Sequence, residues 1–300
     1  MANNPYEASR SLFDAERKKG EKRYKRLLNS LMRQLRTALK QARSPFDLQR
    51  ILDNITYSAR FDAECRKAAT EVITMLAKGQ AHSWRAAAMH SSRGREIYKA
   101  LMSELKGTPR GAYIDTVVNE NAKLIKTVPQ NLAQKFSQMA KRSEYAGMRP
   151  EELTKELLSQ APYLTDVEAR RIARTESSKA ATALVEARAV SIGLEFYVWS
   201  CVTDERSRDS HKLMDGVVCR WDDAPNPERA NGEKRDYGSY HAGCIFNCRC
   251  CALPVVDDLD LKFPLRCWHN GRIQRVDNLT RFKRLYGLSD DSLRQPQGRN

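Results

Sequence analysis

The chain has 300 residues, 41% of them hydrophobic, which is enough apolar material for a buried core and excludes an intrinsically disordered protein. No stretch approaches the roughly 18 uninterrupted apolar residues of a membrane span, and residues 1–20 are charged where a signal peptide has its apolar segment. We therefore expect a soluble protein without a membrane partner, made in a reducing cytoplasm. Closely spaced cysteines in such a compartment more often bind metal or stay as thiols than form structural disulfides.

The formal net charge of +15 is concentrated at the two ends of the chain. Residues 1–50 contain 13 Lys or Arg against 5 Asp or Glu, and residues 262–300 contain 9 against 3, whereas the residues between them are nearly balanced. Basic ends on a neutral body predict non-specific contact with DNA phosphates, the alternative being that they only keep the protein soluble. The candidate DNA-binding residues are Arg33, Arg36, Lys40, Arg43, Arg272, Arg275, Arg281, Lys283 and Arg284.

The first half of the chain has helical periodicity. Apolar residues recur three and four apart from Tyr24 to Leu39, which predicts an amphipathic helix that ends near Ser44-Pro45. Ser44 can cap the next helix, with Pro45 at its first position. Further helices are predicted at about 46–59, 61–78, 81–106, 111–125 and 129–146, separated partly by prolines.

The last predicted helix of this half leads into a different region. Thr165 and Glu168 have the spacing of a capping box, so a helix is predicted from Thr165 to a stop at Gly193. Solvent exposure is the expectation for the charged residues Arg174 and Glu176 on it. Residues 1 to about 192 are thus predicted to be almost wholly helical.

After Gly193 the pattern becomes that of short strands and loops. Strands are predicted at 195–202, 217–221 and 248–256, with a turn at Asp215-Gly216. The predicted fold class is α+β, mainly α: a helical N-terminal body followed by a small Cys/His-rich α+β module with short strands. The predicted domains are a basic amphipathic helical arm (1–44), a helical domain (45–160), the module (161–256) and a basic C-terminal tail (257–300).

The module concentrates potential metal ligands. Six of the eight cysteines and two of the five histidines lie between Cys201 and Cys251. Four such ligands could hold zinc and staple a thin core, while the alternative is buried or unpaired thiols in a packed turn. Only His241 and Cys244 have the spacing of a zinc ribbon. Cys248 and Cys250, as alternate residues of a strand, are expected to face opposite sides.

Catalysis is the rival class of function. Asp204, Asp209, His211 and His241 could form a general acid–base set or a metallonuclease centre. No recognised nuclease, phosphate-loop or nucleophile-elbow pattern occurs, so no catalytic residue is assigned and the protein is not expected to be an enzyme.

Several motifs occur in one order between residues 172 and 254. They are I-A-R-T-E at 172–176, Trp199, D-E-R-S-R-D-S-H at 204–211, D-G at 215–216, N-C-R-C at 247–250, and Pro254. In this order they resemble the Mu F-like minor head proteins of tailed bacteriophages. The resemblance does not extend to the helical region before 160 or to the tail after 260.

The resemblance implies a head-morphogenesis protein inside the procapsid, associated with the portal and close to packaged double-stranded DNA. The expected partners are the portal protein and the major capsid or scaffold protein. The expected location is the virion, in the capsid interior near the portal vertex, after assembly in the host cytoplasm. The alternative is a zinc-dependent DNA-processing enzyme such as a nuclease.

The family's signature positions are carried over to Arg174, Thr175, Glu176, Asp204, Arg206, Arg208, His211, Asp215, Gly216, Cys248 and Cys250. Their implied role is to hold the module together through an Arg–carboxylate network and a His/Cys cluster. Many relatives have a His-Pro pair just before C-R-C, whereas here His241-Ala242 stands seven residues ahead of Cys248, so Cys244 could substitute as a ligand. The expected zinc set is His211, His241, Cys244, Cys248 and Cys250.

Overall fold

The computed structural model describes residues 5–89, 109–142 and 147–289. The helices in these ranges are α1 Pro5–Leu39, α2 Pro45–Thr56, α3 Ala59–Met89, α4 Pro109–Ala140, α5 Pro150–Ser191, α6 Asp209–Met214, α7 Pro227–Ala230 and α8 Leu279–Tyr286. The strands are β1 Phe196–Ser200, β2 Val217–Arg220, β3 Cys251–Pro254, β4 Leu265–His269 and β5 Arg272–Val276. The predicted α+β, mainly α class is confirmed. None of the described helices combines the length and apolarity that a membrane crossing requires.

The chain divides into two compact units. The helical unit contains residues 19–74 and 115–177, and the sheet unit contains residues 1–18, 75–114 and 178–300. Both units are therefore assembled from segments that are distant in sequence. The four continuous domains predicted from the sequence stay a prediction.

The core of the helical unit includes the predicted apolar stripe of α1. Its residues Tyr24, Leu28 and Leu35 are almost fully buried. The corner between α1 and α2 is also as predicted, because the Ser44 side chain accepts a hydrogen bond from the Asp47 backbone N–H and caps α2.

Two prolines lie inside helices, and one of them, Pro129, is predicted to break the chain between two helices. Helix α4 continues through Pro129 and α5 continues through Pro162, so the predicted boundaries at 125–129 and at Thr165 are wrong. Thr165 is not a cap, because its hydroxyl donates to the Ala161 carbonyl within α5 at 2.7 Å. The Glu168 side chain instead accepts hydrogen bonds from Arg171, three residues later in α5, and from Lys135 on α4. Helix α3 likewise continues past the predicted end at residue 78, and the predicted helices at 81–106 and 129–146 lie partly outside the described residues.

The five strands form one sheet in the order β3-β1-β2-β4-β5. β1 pairs antiparallel with β2 and β3, β2 pairs parallel with β4, and β4 pairs antiparallel with β5. The side chains of β1 alternate between two cores: Tyr197 and Trp199 pack on one face, and Phe196 and Val198 on the other. The five residues of β1 are buried because both faces of the sheet are covered.

The sheet extends beyond the predicted module. The sequence predicts a basic tail from residue 257, whereas β4, β5 and α8 lie within that segment. β5 has one fully buried residue, Val276, so the alternation that would predict a strand is weak. α8 packs Phe282 and Tyr286 against Phe196 on β1, which covers the second face of the sheet.

Candidate metal centre

Three potential ligands meet in the sheet unit. His211 lies on α6, and Cys248 and Cys250 lie in the segment just before β3. The His211 Nδ1 atom is 3.5 Å from the Cys248 sulfur and 3.4 Å from the Cys250 sulfur, and the three atoms lie within 4.8 Å of one another. Each residue is only 3% exposed. The donor set of imidazole and two thiols in a dry site is of the kind that binds zinc.

The expectation that Cys248 and Cys250 face opposite sides is wrong. It assumed that both residues belong to a strand, but β3 begins at Cys251. The preceding backbone turns, since the Cys248 N–H donates to the Ile245 carbonyl, and the Cys250 N–H donates to the Cys248 sulfur at 3.4 Å. This turn brings both sulfurs to the same histidine.

A buried hydrogen-bond chain fixes the tautomer of His211. Tyr240 donates its hydroxyl proton to Glu228 Oε1 at 2.6 Å, and the same hydroxyl oxygen lies 3.0 Å from His211 Nε2. Because a tyrosine has one proton to donate, Nε2 of His211 must be the donor in this contact, and in the neutral imidazole the lone pair then lies on Nδ1, the atom nearest the sulfurs. Burial, and then the carboxylate of Glu228, raise the pKa of Tyr240 far above its usual value, so the hydroxyl keeps its proton.

The thiols of the cluster differ in acidity. A hydrogen bond from Cys250 outweighs burial and holds the pKa of Cys248 well below its usual value. A hydrogen bond from Cys250 also lowers the pKa of Cys201 to about 6. Conversely, the pKa of Cys250 is raised because its thiol proton is shared with Cys201 and Cys248. Cys201 directly follows β1 and is 1% exposed, and the sequence-based ligand set omits it.

His241 and Cys244, predicted as ligands, are not part of the three-residue group. His241 Nδ1 lies 3.0 Å from the Tyr197 hydroxyl, and its ring packs edge-on against Trp221. Cys244 is half-buried, and burial raises the pKa of its thiol to about 12. Of the five predicted ligands, the structure thus brings together His211, Cys248 and Cys250.

An ion pair holds the segment after Cys201. Asp204 accepts hydrogen bonds from both Nη atoms of Arg249, from the Arg206 backbone N–H at 3.1 Å and from the Ser207 hydroxyl at 3.0 Å. The hydrogen bonds from Arg249 are the main cause of the low pKa of Asp204. Because Arg249 stands between the two cluster cysteines, this pair links the 201–211 segment to the C-R-C turn. Arg249 is not in the sequence-based network, and the guanidinium of the predicted Arg206 is largely exposed and 3.7 Å from Asp204.

The other signature residues of the sheet unit hold neighbouring turns. The Asp215 carboxylate accepts from the Cys201 backbone N–H at 2.7 Å, and Gly216 donates its N–H to the Trp199 carbonyl at 2.8 Å. The Arg208 guanidinium lies over the Phe246 ring, 4.6 Å from its centroid, and donates to the Phe246 carbonyl. These contacts fasten the D-x-R-x-R-x-x-H segment to both the sheet and the loop before Cys248.

Comparison with known proteins finds a family that matches the part of the chain containing the cluster. Residues 134–253 match the family described as Phage Mu protein F like protein. This part of the chain is Mu F-like. The resemblance inferred from the sequence is confirmed over these residues.

One relative of the chain comes from Haemophilus influenzae (strain ATCC 51907 / DSM 11121 / KW20 / Rd) and is described as "Uncharacterized protein". It is 31% identical over 148 residues, which is 48% of this chain and 30% of the relative. The chain thus matches less than a third of that protein's length. No solved structure matches the chain.

The R-T-E signature of the Mu F-like region belongs to the helical unit, whereas the cluster belongs to the sheet unit. Arg174 pairs with Glu21, with 3.2 Å between Nε and Oε1, and keeps 39% of its side chain exposed. Thr175 and Glu176 are 3% and 4% exposed, so the expectation that Glu176 is solvated is wrong. Burial raises the pKa of Tyr24, and the charge of Glu176 raises it further.

The basic residues at the N-terminal end lie on the surface of the helical unit, with one exception. Arg33, Lys40 and Arg43 are exposed, and within the described residues none of them forms an ion pair. Arg36 is half-buried and donates to the Thr165 hydroxyl at 2.8 Å. Three of the four predicted DNA contacts on this unit are therefore available to a phosphate.

The basic residues at the C-terminal end belong to the sheet unit. Arg272, Arg275, Arg281 and Arg284 are exposed, but Arg275 and Arg281 are each 3.2 Å from a carboxylate oxygen of Asp277. Lys283 is only 7% exposed, so it is not presented to a partner. The reason is its position in α8, one residue after Phe282, on the side that packs against the sheet.

The four residues considered for catalysis have separate surroundings. Asp209 is exposed and pairs with Lys212, Asp204 is bound by Arg249, and His241 contacts Tyr197. Only His211 belongs to the cluster.

Proposed function

We propose that the protein is a minor head protein of a tailed bacteriophage, which lies inside the capsid near the portal, contacts packaged double-stranded DNA and acts in head assembly or DNA delivery. The observation that carries this proposal is the match of residues 134–253 to the Mu F-like family. The signature residues in the sheet unit support it, because Asp204, Asp215 and Arg208 each bind backbone or side chains of the module itself.

The same geometry favours a structural role over a catalytic one. A catalytic zinc keeps one coordination position open to water or substrate. Here His211, Cys248 and Cys250 are each 3% exposed, and a nearby carboxylate, Glu228, is fully buried behind Tyr240. The nuclease alternative requires an accessible ion, so the burial of the cluster argues against it.

Contact with DNA is proposed through cations that are not already neutralised. On the helical unit these are Arg33, Lys40 and Arg43. On the sheet unit Arg284 lines an open hollow of about 800 Å³ beside α8, whereas Arg281 beside it is already paired with Asp277. None of these side chains is built into a base-reading motif, so we expect binding through phosphates alone.

The DNA contact is tested by the salt dependence of binding. Changing Arg33, Lys40 and Arg43 together to Gln should flatten the slope of log Kd against log salt concentration by about 2.7, if each neutralises one phosphate. The matched control changes Arg50, Arg66 and Arg170 of the same unit to Gln; these have the same charge but form ion pairs at 3.1, 3.1 and 2.6 Å. Equal slopes for the two triple variants would remove the assigned DNA surface.

The head role is tested by the composition of particles. Proheads and DNA-filled heads of the phage that encodes this chain are purified and analysed by mass spectrometry. The proposal predicts the protein in both particles, where the intact shell protects it from added protease. Its absence from proheads and from filled heads would overturn the proposal. Cleavage of DNA by the purified protein, lost on His211→Gln, would favour the nuclease alternative.

A further inference from the structure

The two nitrogen–sulfur distances of the ligand group have the lengths that a tetrahedral zinc site requires. With Zn–S bonds of about 2.3 Å and Zn–N bonds of about 2.0–2.1 Å, the sulfur and nitrogen ligands of one tetrahedral ion lie about 3.6 Å apart. The two observed distances from His211 Nδ1 to sulfur are 3.5 Å for Cys248 and 3.4 Å for Cys250. Both nitrogen–sulfur distances are therefore those expected for ligands of one zinc ion.

The histidine is already in the form that binds a metal. The chain from Glu228 through Tyr240 requires the proton on Nε2 of His211, so in the neutral imidazole Nδ1 has the free lone pair. Metal-binding histidines almost always donate their other ring N–H to an oxygen that is itself held in place. Here the tyrosine oxygen has that role, and a fully buried carboxylate orients it.

A fourth donor lies beside the group. The Cys201 side chain hydrogen-bonds the Cys250 thiol. The Cys201 sulfur also accepts the N–H of the second residue after it, Thr203, at 3.4 Å, just as the Cys248 sulfur accepts the N–H of Cys250 at 3.4 Å. Such N–H···S contacts stabilise the thiolate, which is the form that binds metal ions.

The backbone next to two of these cysteines is strained. Thr203, whose N–H donates to the Cys201 sulfur, has φ of 56°, which is unusual for a β-branched residue. Asn247, the residue before Cys248, has φ of 55°. Strained backbone of this kind persists where the surrounding contacts over-determine it, and it is concentrated at functional sites.

We propose that Cys201, His211, Cys248 and Cys250 together bind one Zn²⁺ ion in a closed, tetrahedral site with three sulfurs and one nitrogen. The soft, mixed sulfur and imidazole set selects zinc over magnesium or calcium. The four residues are 1–3% exposed, so no coordination position faces the solvent and the ion is structural. This site differs from the sequence-based set by including Cys201 and excluding His241 and Cys244.

The ion would tie together three parts of the sheet unit: the end of β1, helix α6 and the turn before β3. The segment between β2 and β3 contains one helix, the four-residue α7, and is otherwise loop. Few regular backbone hydrogen bonds therefore hold this region in place. A structural zinc ion contributes folding free energy directly, which compensates for a thin core. The zinc site is independent of the head role, because a zinc-bound module is compatible with any location of the protein.

The first test is the zinc-edge X-ray absorption spectrum of the purified full-length chain, with the zinc content measured on the same sample. The proposal predicts about one zinc per chain, with three sulfurs at about 2.3 Å and one nitrogen at about 2.0–2.1 Å. Two sulfurs with two nitrogen or oxygen ligands would overturn the assignment of Cys201. Protein purified under reducing conditions and free of zinc after exposure to the ion, or a Cys201–Cys250 disulfide found by mass spectrometry under those conditions, would overturn the site.

The second test compares two cysteine variants. In competition with a chromophoric chelator, Cys201→Ser should weaken zinc affinity by more than the roughly 10- to 100-fold that loss of an outer contact costs. Cys244→Ser is the matched control, since it removes a nearby, half-buried thiol of the sequence-based set, and it should leave the affinity unchanged. A loss of affinity in Cys244→Ser with none in Cys201→Ser would contradict the proposed ligands. The absorption spectrum of the wild-type protein decides the matter if either variant fails to fold.

Discussion

Replacing Gly243 by alanine should destabilise the sheet unit by about 3 kcal/mol. Gly243 has φ of +86°, where a side chain costs on the order of 1 kcal/mol or more. The added Cβ would also stand 2.7 Å from the Thr182 hydroxyl and 3.0 Å from the Cys250 carbonyl oxygen. The hydroxyl cannot easily move away, because it donates to the Ala242 carbonyl at 2.6 Å, and overpacking of this kind costs about 1–3 kcal/mol.

Gly238→Ala separates the two contributions. Gly238 has φ of +82°, almost the same as Gly243, but a Cβ there would meet nothing within 4 Å. We expect this control to lose only the backbone contribution of about 1 kcal/mol. The difference between the two variants therefore measures how tightly the loop before the C-R-C turn packs on α5.

Urea unfolding followed by tryptophan fluorescence is the appropriate assay. The four tryptophans, at positions 84, 199, 221 and 268, belong to the sheet unit, so the signal reports on the unit in which the substitution lies. Equal destabilisation by the two alanine variants, or a neutral Gly243→Ala, would refute the close packing of this loop.

Two further predictions concern a residue behind the cluster and an ion pair of the helical unit. Tyr240→Phe removes the hydroxyl oxygen that orients the His211 ring and should weaken zinc affinity about 10-fold in chelator competition. Unchanged affinity would show that the hydrogen bond from His211 to Tyr240 does not support metal binding. Burial raises the pKa of Glu168, but hydrogen bonds from Arg171 and Lys135 outweigh burial and lower the pKa overall. The ion pair of Lys135 with Glu168 therefore stabilises the fold above pH ~4.3, the pKa of an unperturbed glutamate. This stabilisation is lost as the pH falls through the lower pKa of the folded state. Lys135→Met should therefore cost about 0.5–1 kcal/mol at pH 7 and progressively less below pH ~4, as measured by urea unfolding with far-ultraviolet circular dichroism; a cost independent of pH would contradict the ion pair.

Local sequence signals are sufficient to predict those helices and strands that are held by local contacts. Ser44 and Pro45 mark the start of α2 because the cap is made within one turn. The β-branched and aromatic residues of β1 mark a strand that is buried on both faces. The signature order from Arg174 to Cys250 is also readable along the chain, so the amino-acid sequence alone is enough to indicate the Mu F-like family.

Elements that depend on tertiary contacts could not be predicted in this way. Pro129 and Pro162 each cost a helix one hydrogen bond, but long helices that bury an apolar face on their neighbours can bear that loss. Thr165 and Glu168 have the spacing of a cap, yet the chain before them is already helical, so both side chains have other partners. A spacing pattern carries no information about whether the preceding turn exists.

The ligand group also depends on tertiary contacts that the sequence does not reveal. Cys201 and Cys250 are far apart in sequence and meet only because β1 and β3 are paired, with Ser200 opposite Cys251. Local spacing favoured His241 and Cys244, which the turn places near Tyr197 and Thr182 instead. Knowledge of the strand pairing is what identifies Cys201, and the sequence did not contain that pairing in readable form.

The proposal that this chain is an internal head protein at the portal is tested most directly by an asymmetric cryo-electron microscopy reconstruction of the DNA-filled head. The account predicts density for the five-stranded sheet and its α5 helix on the inner side of the portal vertex, adjacent to packaged DNA. A reconstruction in which other chains account for all density at that vertex, with this protein absent from the particle or bound to the outside of the shell, would contradict it.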